Sequence, residues 1–191
     1  SGNKNAALPC IAAAVLTDQP VTLKNLPEIE DVFVMFDIFK SFGGTVQKIA
    51  QNEYTLQLKT VTGYEIPTPL SQKIRASILF AGPLLARYGK VSMPPPGGDV
   101  IGRRRLDTHF LALTELGAQV KINGHFLFTA NKLIGQDIFL DEASVTATEN
   151  AVMAAVTAEG ETVITNAASE PHVQDLCKLL NAMGAQITGI G

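Results

Sequence analysis

Pro94-Pro95-Pro96-Gly97-Gly98-Asp99-Val100-Ile101-Gly102-Arg103-Arg104-Arg105-Leu106-Asp107 is the stretch on which the reading of this chain turns. It has no apolar period, so it is neither a strand nor a helix buried on one face. Three prolines and two glycines in a row make a turn that ordinary packing does not require. Asp99 stands at the tip with Arg103, Arg104 and Arg105 close behind, a composition suited to a multiply charged anion. Taken alone, the same residues equally describe a solvated loop with a local Asp–Arg pair, which is the commoner case. The flanking sequence separates the two readings.

Immediately before the loop lies an apolar segment, Ser71 to Arg87, read as a helix kinked by Pro83, and then a short strand, Lys90 to Met93. Immediately after it come a helix, Asp107 to Leu116, a stop at Gly117-Ala118, and strands Gln119 to Ile122 and His125 to Ala130. Asn123-Gly124 between those strands is a type I′ hairpin signal. The same order precedes it. A helix over Ala6 to Leu16, with Pro9 tolerable in a first helical turn, leads to a strand, Pro20 to Leu23. Helix Asp31 to Phe42 follows, stopped by Gly43-Gly44, and then the hairpin Thr45 to Ala50 with Tyr54 to Thr60. A third copy has helix Thr148 to Ala158, strand Glu161 to Ile164, helix Pro171 to Met183, the stop Gly184-Ala185 and strand Gln186 to Thr188.

This predicts an α/β fold in which one supersecondary unit is used three times, over about 1–66, 67–142 and 143–191. From the short strand to the stop glycine there are 20 residues in the first copy (Leu23 to Gly43) and 20 in the third (Ile164 to Gly184), but 24 in the second (Met93 to Gly117). The surplus falls in the loop quoted above, and a loop that breaks a repeat is where function tends to reside. The repeat also aligns Lys4-Asn5, Lys73 to Arg75, and Ser144 to Thr148, each near the start of a first helix. Packing about a pseudo-threefold axis would bring those helix starts together, with unpaired N–H groups suited to phosphate or carboxylate.

A chain of 191 residues, 46% hydrophobic and 17% charged, can bury the core of one domain or lobe, and its low charge predicts a face packed against something else. A net charge of -3 offers no basic field to nucleic acid or an anionic membrane. No apolar run approaches the ~20 residues a bilayer span needs, and no signal peptide opens the chain. Cys10 and Cys177 read as free buried thiols of a reducing cytoplasm. No cluster has metal-ligand spacing, so neither metal nor cofactor is expected. His109, His125 and His172 read as packing, hairpin and helix-end residues. The first residue is Ser1, and the last strand-like run stops at Gly191, so part of a longer protein is expected.

Asn3-Lys4-Asn5-Ala6-Ala7-Leu8-Pro9, Arg75-Ala76-Ser77, Gly97-Gly98-Asp99-Val100-Ile101-Gly102 and Ser144-Val145-Thr146-Ala147-Thr148-Glu149-Asn150, in this order, resemble the UDP-N-acetylglucosamine 1-carboxyvinyltransferase family. The shikimate-pathway enolpyruvyl transferases share the fold and are the weaker match. A non-catalytic scaffold that keeps the repeat is the reading from another class. The resemblance implies one lobe, residues 1–191, of a two-lobed protein, each lobe built of three βαβαββ units with helices inside and sheets outside. It implies transfer of the enolpyruvyl group of phosphoenolpyruvate to the 3-hydroxyl of UDP-N-acetylglucosamine, the first committed step of peptidoglycan precursor synthesis, in the cytoplasm. The isolated lobe would be inactive, because the second lobe carries the base.

By the same resemblance Lys4, Asn5 and Arg104 hold phosphoenolpyruvate. Arg75 lines that site and, with Arg104, Arg105, Leu106, Asp107, Thr108, Glu142, Ala143, Ser144 and Val145, reaches the UDP-sugar. Asp99 is the catalytic proton donor where most members carry Cys, which implies insensitivity to fosfomycin. Arg105-Leu106 stands where Pro-Val is usual, Thr146 where Gly is common, and Glu142 where Lys or an apolar residue is found.

Overall fold

The computed structural model describes residues 2–97 and 106–191. Asn3 opens α1 (Lys4–Ala13), its side chain accepting the Asn5 N–H at 2.8 Å. That bond satisfies one of the donors a first turn leaves unpaired. Ala7, Leu8, Ile11, Ala12 and Ala13 are all buried, so α1 is an interior helix with no solvent face of any width. It runs on as a 3-10 turn, Ala14–Leu16. Pro9 is the sixth helical residue and not a first-turn residue as the sequence predicts. It has no N–H to give the Asn5 carbonyl, and the helix tolerates this one missing bond close to its start.

The chain continues through β1 (Val21–Leu23), α2 (Glu30–Ser41), β2 (Thr45–Ala50) and β3 (Glu53–Gln57), an antiparallel sheet of order β1-β3-β2. Gly43, at φ +95°, takes the left-handed conformation that ends α2. A second such sheet, β4-β6-β5, is built from β4 (Lys90–Met93), β5 (Gln119–Asn123) and β6 (His125–Thr129). The hairpin is as expected, but its turn is not type I′. That turn needs two left-handed residues, and here Gly124 is left-handed while Asn123 is not.

The largest departure precedes β4. The single kinked helix expected over Ser71 to Arg87 is three pieces: α3 (Thr68–Ser71), a 3-10 run Arg75–Phe80, and α4 (Ala81–Tyr88). Pro83 is the third residue of α4, where its missing N–H costs little, and the turn before it winds as 3-10.

After α5 (Asp107–Glu115), β7 (Asp137–Phe139) leads into α6 (Val145–Ala155), β8 (Val163–Thr165) and α7 (Pro171–Ala182). Ser144 caps α6 by accepting the Ala147 N–H, which starts the helix three residues before the predicted Thr148. β7 pairs in parallel with β8. Residues 64–66 meet β4 in the same way, through Ile66 N–H to the Ser92 carbonyl and Ser92 N–H to the Tyr64 carbonyl. The exit from each hairpin thus flanks the next short strand. Residues 186–188, predicted as a strand, have no ladder partner and are not one.

Helices lie inside and sheets outside. α4 packs on α6, and α1 on the Arg75–Phe80 run and α7, with fully buried small residues such as Ala12, Ala81, Ala151 and Ala154 among these helices. Gly82 of α4 touches α6 so closely that a Cβ there would stand 2.5 Å from the Asn150 carbonyl oxygen. β2 and β5 turn one side to solvent. Among the described residues no helix is long and apolar enough to cross a membrane.

Candidate active site

The starts of α1, of the Arg75–Phe80 run and of α6 line a single cleft of about 400 Å³. Lys4 and Asn5 come from the first, Lys73 and Arg75 from the second, and Val145 and Thr146 from the third. Two of these three starts are true α-helices. The middle one is a short 3-10 segment and contributes its cationic side chains, not a helix dipole. The repeat therefore places in one cavity residues that lie about 70 positions apart in sequence.

Lys4, Lys73 and Arg75 line the cleft together with Asp31, Thr146 and Glu149. Lys4 forms an ion pair with Asp31 of α2. His109, from α5, is buried behind the wall. The Asn150 side chain fixes its state. Asn150 Oδ1 accepts the Gly82 N–H at 2.8 Å, so its Nδ2 faces the other way and donates to the Ile78 carbonyl at 2.8 Å and to His109 Nδ1 at 3.0 Å. His109 Nδ1 must then be the acceptor, and Nε2–H donates to Thr146 Oγ1 at 3.1 Å. Burial, with the Arg75 guanidinium adding to it, lowers the His109 pKa to about 3. A neutral imidazole thus holds the hydroxyl of Thr146 on the cleft wall.

The loop springs from beside this cavity. Gly97 N–H donates to the Ser71 carbonyl at 3.0 Å, and the buried hydroxyls of Ser71 and Ser77 lie 3.2 Å apart. The segment that anchors the loop therefore also carries Lys73 and Arg75. On the far side Thr108 Oγ1 donates to Asp141 Oδ1 at 2.7 Å, tying the start of α5 to the approach to α6.

Of the residues singled out in the sequence, Lys4, Asn5, Arg75 and Val145 line the cleft. Leu106, Asp107, Thr108, Glu142, Ala143 and Ser144 do not line it, although Thr108 and Ser144 hold the elements that do. Asp99, Arg104 and Arg105 lie outside the described residues. Sequence reading missed Asp31, Glu149 and His172, all on the cleft wall. His172 was read as a helix-end residue only. Glu149 had a legible signal: it is the one charged residue in the helix Val145–Ala155.

Comparison with known proteins bears on the family and the fold. The family model described as EPSP synthase (3-phosphoshikimate 1-carboxyvinyltransferase) matches residues 1–191. Curated relatives named UDP-N-acetylglucosamine 1-carboxyvinyltransferase include those of Treponema denticola, 69% identical over 191 residues, and Treponema pallidum, 70% identical over 190. The chain is covered in full by both and spans about 45% of their length. Among solved structures, the enolpyruvyl transferase NikO from Streptomyces tendae superposes on the whole chain with a TM-score of 0.86 at 23% identity, using 45% of its own chain. An EPSP synthase from Acinetobacter baumannii gives 0.75 at 21% identity over 99% of this chain and 44% of its own. These likenesses give the chain an enolpyruvyl-transferase fold.

Proposed function

The chain belongs to the EPSP synthase (3-phosphoshikimate 1-carboxyvinyltransferase) family, and from that premise we propose that it is one lobe of a cytoplasmic enolpyruvyl transferase whose acceptor is UDP-N-acetylglucosamine. The observation that carries this reading is the joining of Lys4 and Asn5, Arg75, and Val145 and Thr146 around one cleft by three separate repeats. The names of relatives near 70% identity favour the UDP-sugar over shikimate 3-phosphate as acceptor. Phosphoenolpyruvate is a compact anion with a phosphate and a carboxylate, and a rim of lysine and arginine matches it.

In this reading Lys4, Asn5 and Arg104 hold phosphoenolpyruvate. Arg75 lines the same site and, with Arg104 to Thr108 and Glu142 to Val145, extends toward the UDP-sugar. The sugar 3-hydroxyl adds to C2 of phosphoenolpyruvate as C3 gains a proton. Phosphate then leaves, and C3 gives up a proton to restore the double bond. Asp99 is the donor to C3. An aspartic acid is normally ionised at neutral pH, so it works as an acid when closure and the substrate's own negative charge raise its affinity for the proton. The second lobe contributes the base for the sugar hydroxyl, and the 191-residue chain alone does not turn over.

The test uses the full-length protein. Phosphate release from phosphoenolpyruvate is expected to require UDP-N-acetylglucosamine. If shikimate 3-phosphate supports release instead, the acceptor is wrong. Fosfomycin inactivates a loop thiolate that opens its epoxide, and a carboxylate is a far poorer nucleophile. Wild type is therefore expected to survive incubation with fosfomycin and UDP-N-acetylglucosamine, while Asp99→Cys stays active and becomes time-dependently inactivated. Asp99→Ala should lose roughly 10²–10⁴ in rate, the usual worth of a general acid. Full turnover by Asp99→Ala would remove Asp99 from the mechanism.

A further inference from the structure

Glu149 lines the cleft, yet it is 1% exposed and its Oε1 is buried with no hydrogen-bond partner. It lies one turn beyond Val145 and Thr146, on the same face of α6. Its neighbours Thr148 and Asn150 are buried and polar too, but both are hydrogen-bonded, Thr148 Oγ1 donating to the Ser144 carbonyl and accepting the Ala168 N–H, and Asn150 to Gly82, Ile78 and His109. An orphaned carboxyl costs stability, and in a native structure such a group asks for an explanation.

The groups around it come from each neighbouring element. On α1 the Cys10 thiol, its pKa pushed up to about 12 chiefly by burial, is uncharged, and Lys4 is engaged by Asp31 of α2. On the α7 side stand Glu170, Asp175 and the buried Cys177, all anionic or neutral, with His172 on the shared wall. Arg75, at the start of the 3-10 run, and Lys73, just before it, also line the cleft. Burial first, and the Glu170 carboxylate second, raise the Glu149 carboxyl to about 8, so at neutral pH it holds its proton.

We propose that Glu149 joins the anion site as a neutral acid, its O–H donating to a phosphate or carboxylate oxygen, so that the cleft takes up an anion together with one proton. This rests on the anion-binding reading above. No ligand bond forms or breaks; above its pKa, Glu149 draws the proton from solvent. An ionised Glu149 would instead set a buried negative charge against the ligand.

The experiment is calorimetric titration of the full-length protein with sulfate, whose charge is constant from pH 7 to 9.5, and with phosphoenolpyruvate. Wild-type affinity is expected to fall about 30-fold across that range, as one group near pH 8 requires. In buffers of different ionisation heat, binding at pH 9 should take up close to one proton. Glu149→Gln keeps an N–H donor but cannot titrate. It should bind a few-fold more weakly at pH 7, change less than about threefold up to pH 9.5, and take up no proton. A thermal melt at pH 7 establishes that this variant is folded. If both proteins bind with the same pH slope, the cleft remains an anion site and the role of Glu149 is wrong. If neither binds either anion at any pH, the anion reading falls and this inference with it.

Discussion

His109 and Glu149 are both 1% exposed, both neutral and both buried against the cleft, but they pull stability in opposite directions along the pH axis. The His109 pKa is depressed from 6.5 to about 3, so below 6.5 the unfolded chain binds a proton that the folded one refuses. Its contribution is intact above 6.5 and is lost as pH falls toward 3. The Glu149 pKa is raised from 4.5 to about 8, so the folded chain keeps a proton that the unfolded one has released. Its contribution is intact below 4.5 and is lost as pH rises toward 8. Glu149→Gln should therefore raise the melting temperature at pH 8, by an amount corresponding to roughly 2–4 kcal/mol, and leave it nearly unchanged at pH 4. Melting curves recorded from pH 4 to 9 read this directly; an equal shift at both ends would mean Glu149 is not titrating in the folded protein. His109→Gln should flatten the acid limb below pH 6.5 while lowering stability overall, because Asn150 and Thr146 lose their partner.

At the scale of elements, two glycines report how closely the pieces fit. A Cβ at Gly97 would stand 1.8 Å from the Gln72 carbonyl oxygen, so Gly97→Ala must push the loop's base off α3 and the residues that follow it. The expected result in the full-length enzyme is a kcat loss of tenfold or more, with the melting temperature lowered by only a few degrees. A large fall in melting temperature with kcat preserved would show that the contact serves folding alone. Gly82→Ala, by contrast, strikes backbone between α4 and α6 and should cost about 1–3 kcal/mol of stability, measured by urea unfolding.

These elements differ in how far sequence exposes them. α2, α5 and α7 were legible because each ends on a glycine in the left-handed region, at Gly43, Gly117 and Gly184. The break at residues 72–74 was not, because Ser71 to Arg87 carries a continuous apolar signal and the 3-10 turn ahead of Pro83 leaves no mark in composition. β7 was missed because parallel pairing with β8 joins segments some 26 residues apart with no hairpin signal between them. The site was half legible. Lys4, Asn5 and Arg75 stand at repeat starts that sequence aligns, whereas Asp31 and His172 reach the cleft from α2 and α7, whose packing no spacing announces.

At the scale of the whole molecule, the first two sheets have three strands and the third, among the described residues, has two. In each of the first two, the second hairpin strand sits in the middle, as β3 and β6 do. β8 has β7 on one side only, and among the described residues no strand fills its other side. A groove of about 720 Å³ lies there, between Ile164 and the extended residues 186–188, and the Thr162 hydroxyl is buried in it without a partner. Ile164 of β8 and residues 186–188 thus border the same groove, and β8 keeps an edge with no ladder on that side among the described residues. A gap of this kind makes the molecule's behaviour depend on its company. Extended chain of any origin competes for the vacancy, and in dilute solution water alone answers. The 191-residue chain should elute from a sizing column at a position that moves with concentration. Replacing Ile164 by Lys, which sets a charge on the open flank, should abolish that movement. A concentration-independent monomer would mean that the vacancy is closed by the chain itself. Otherwise this flank is an open edge, and an extended segment that pairs with it adds a third strand to the smallest sheet of the molecule.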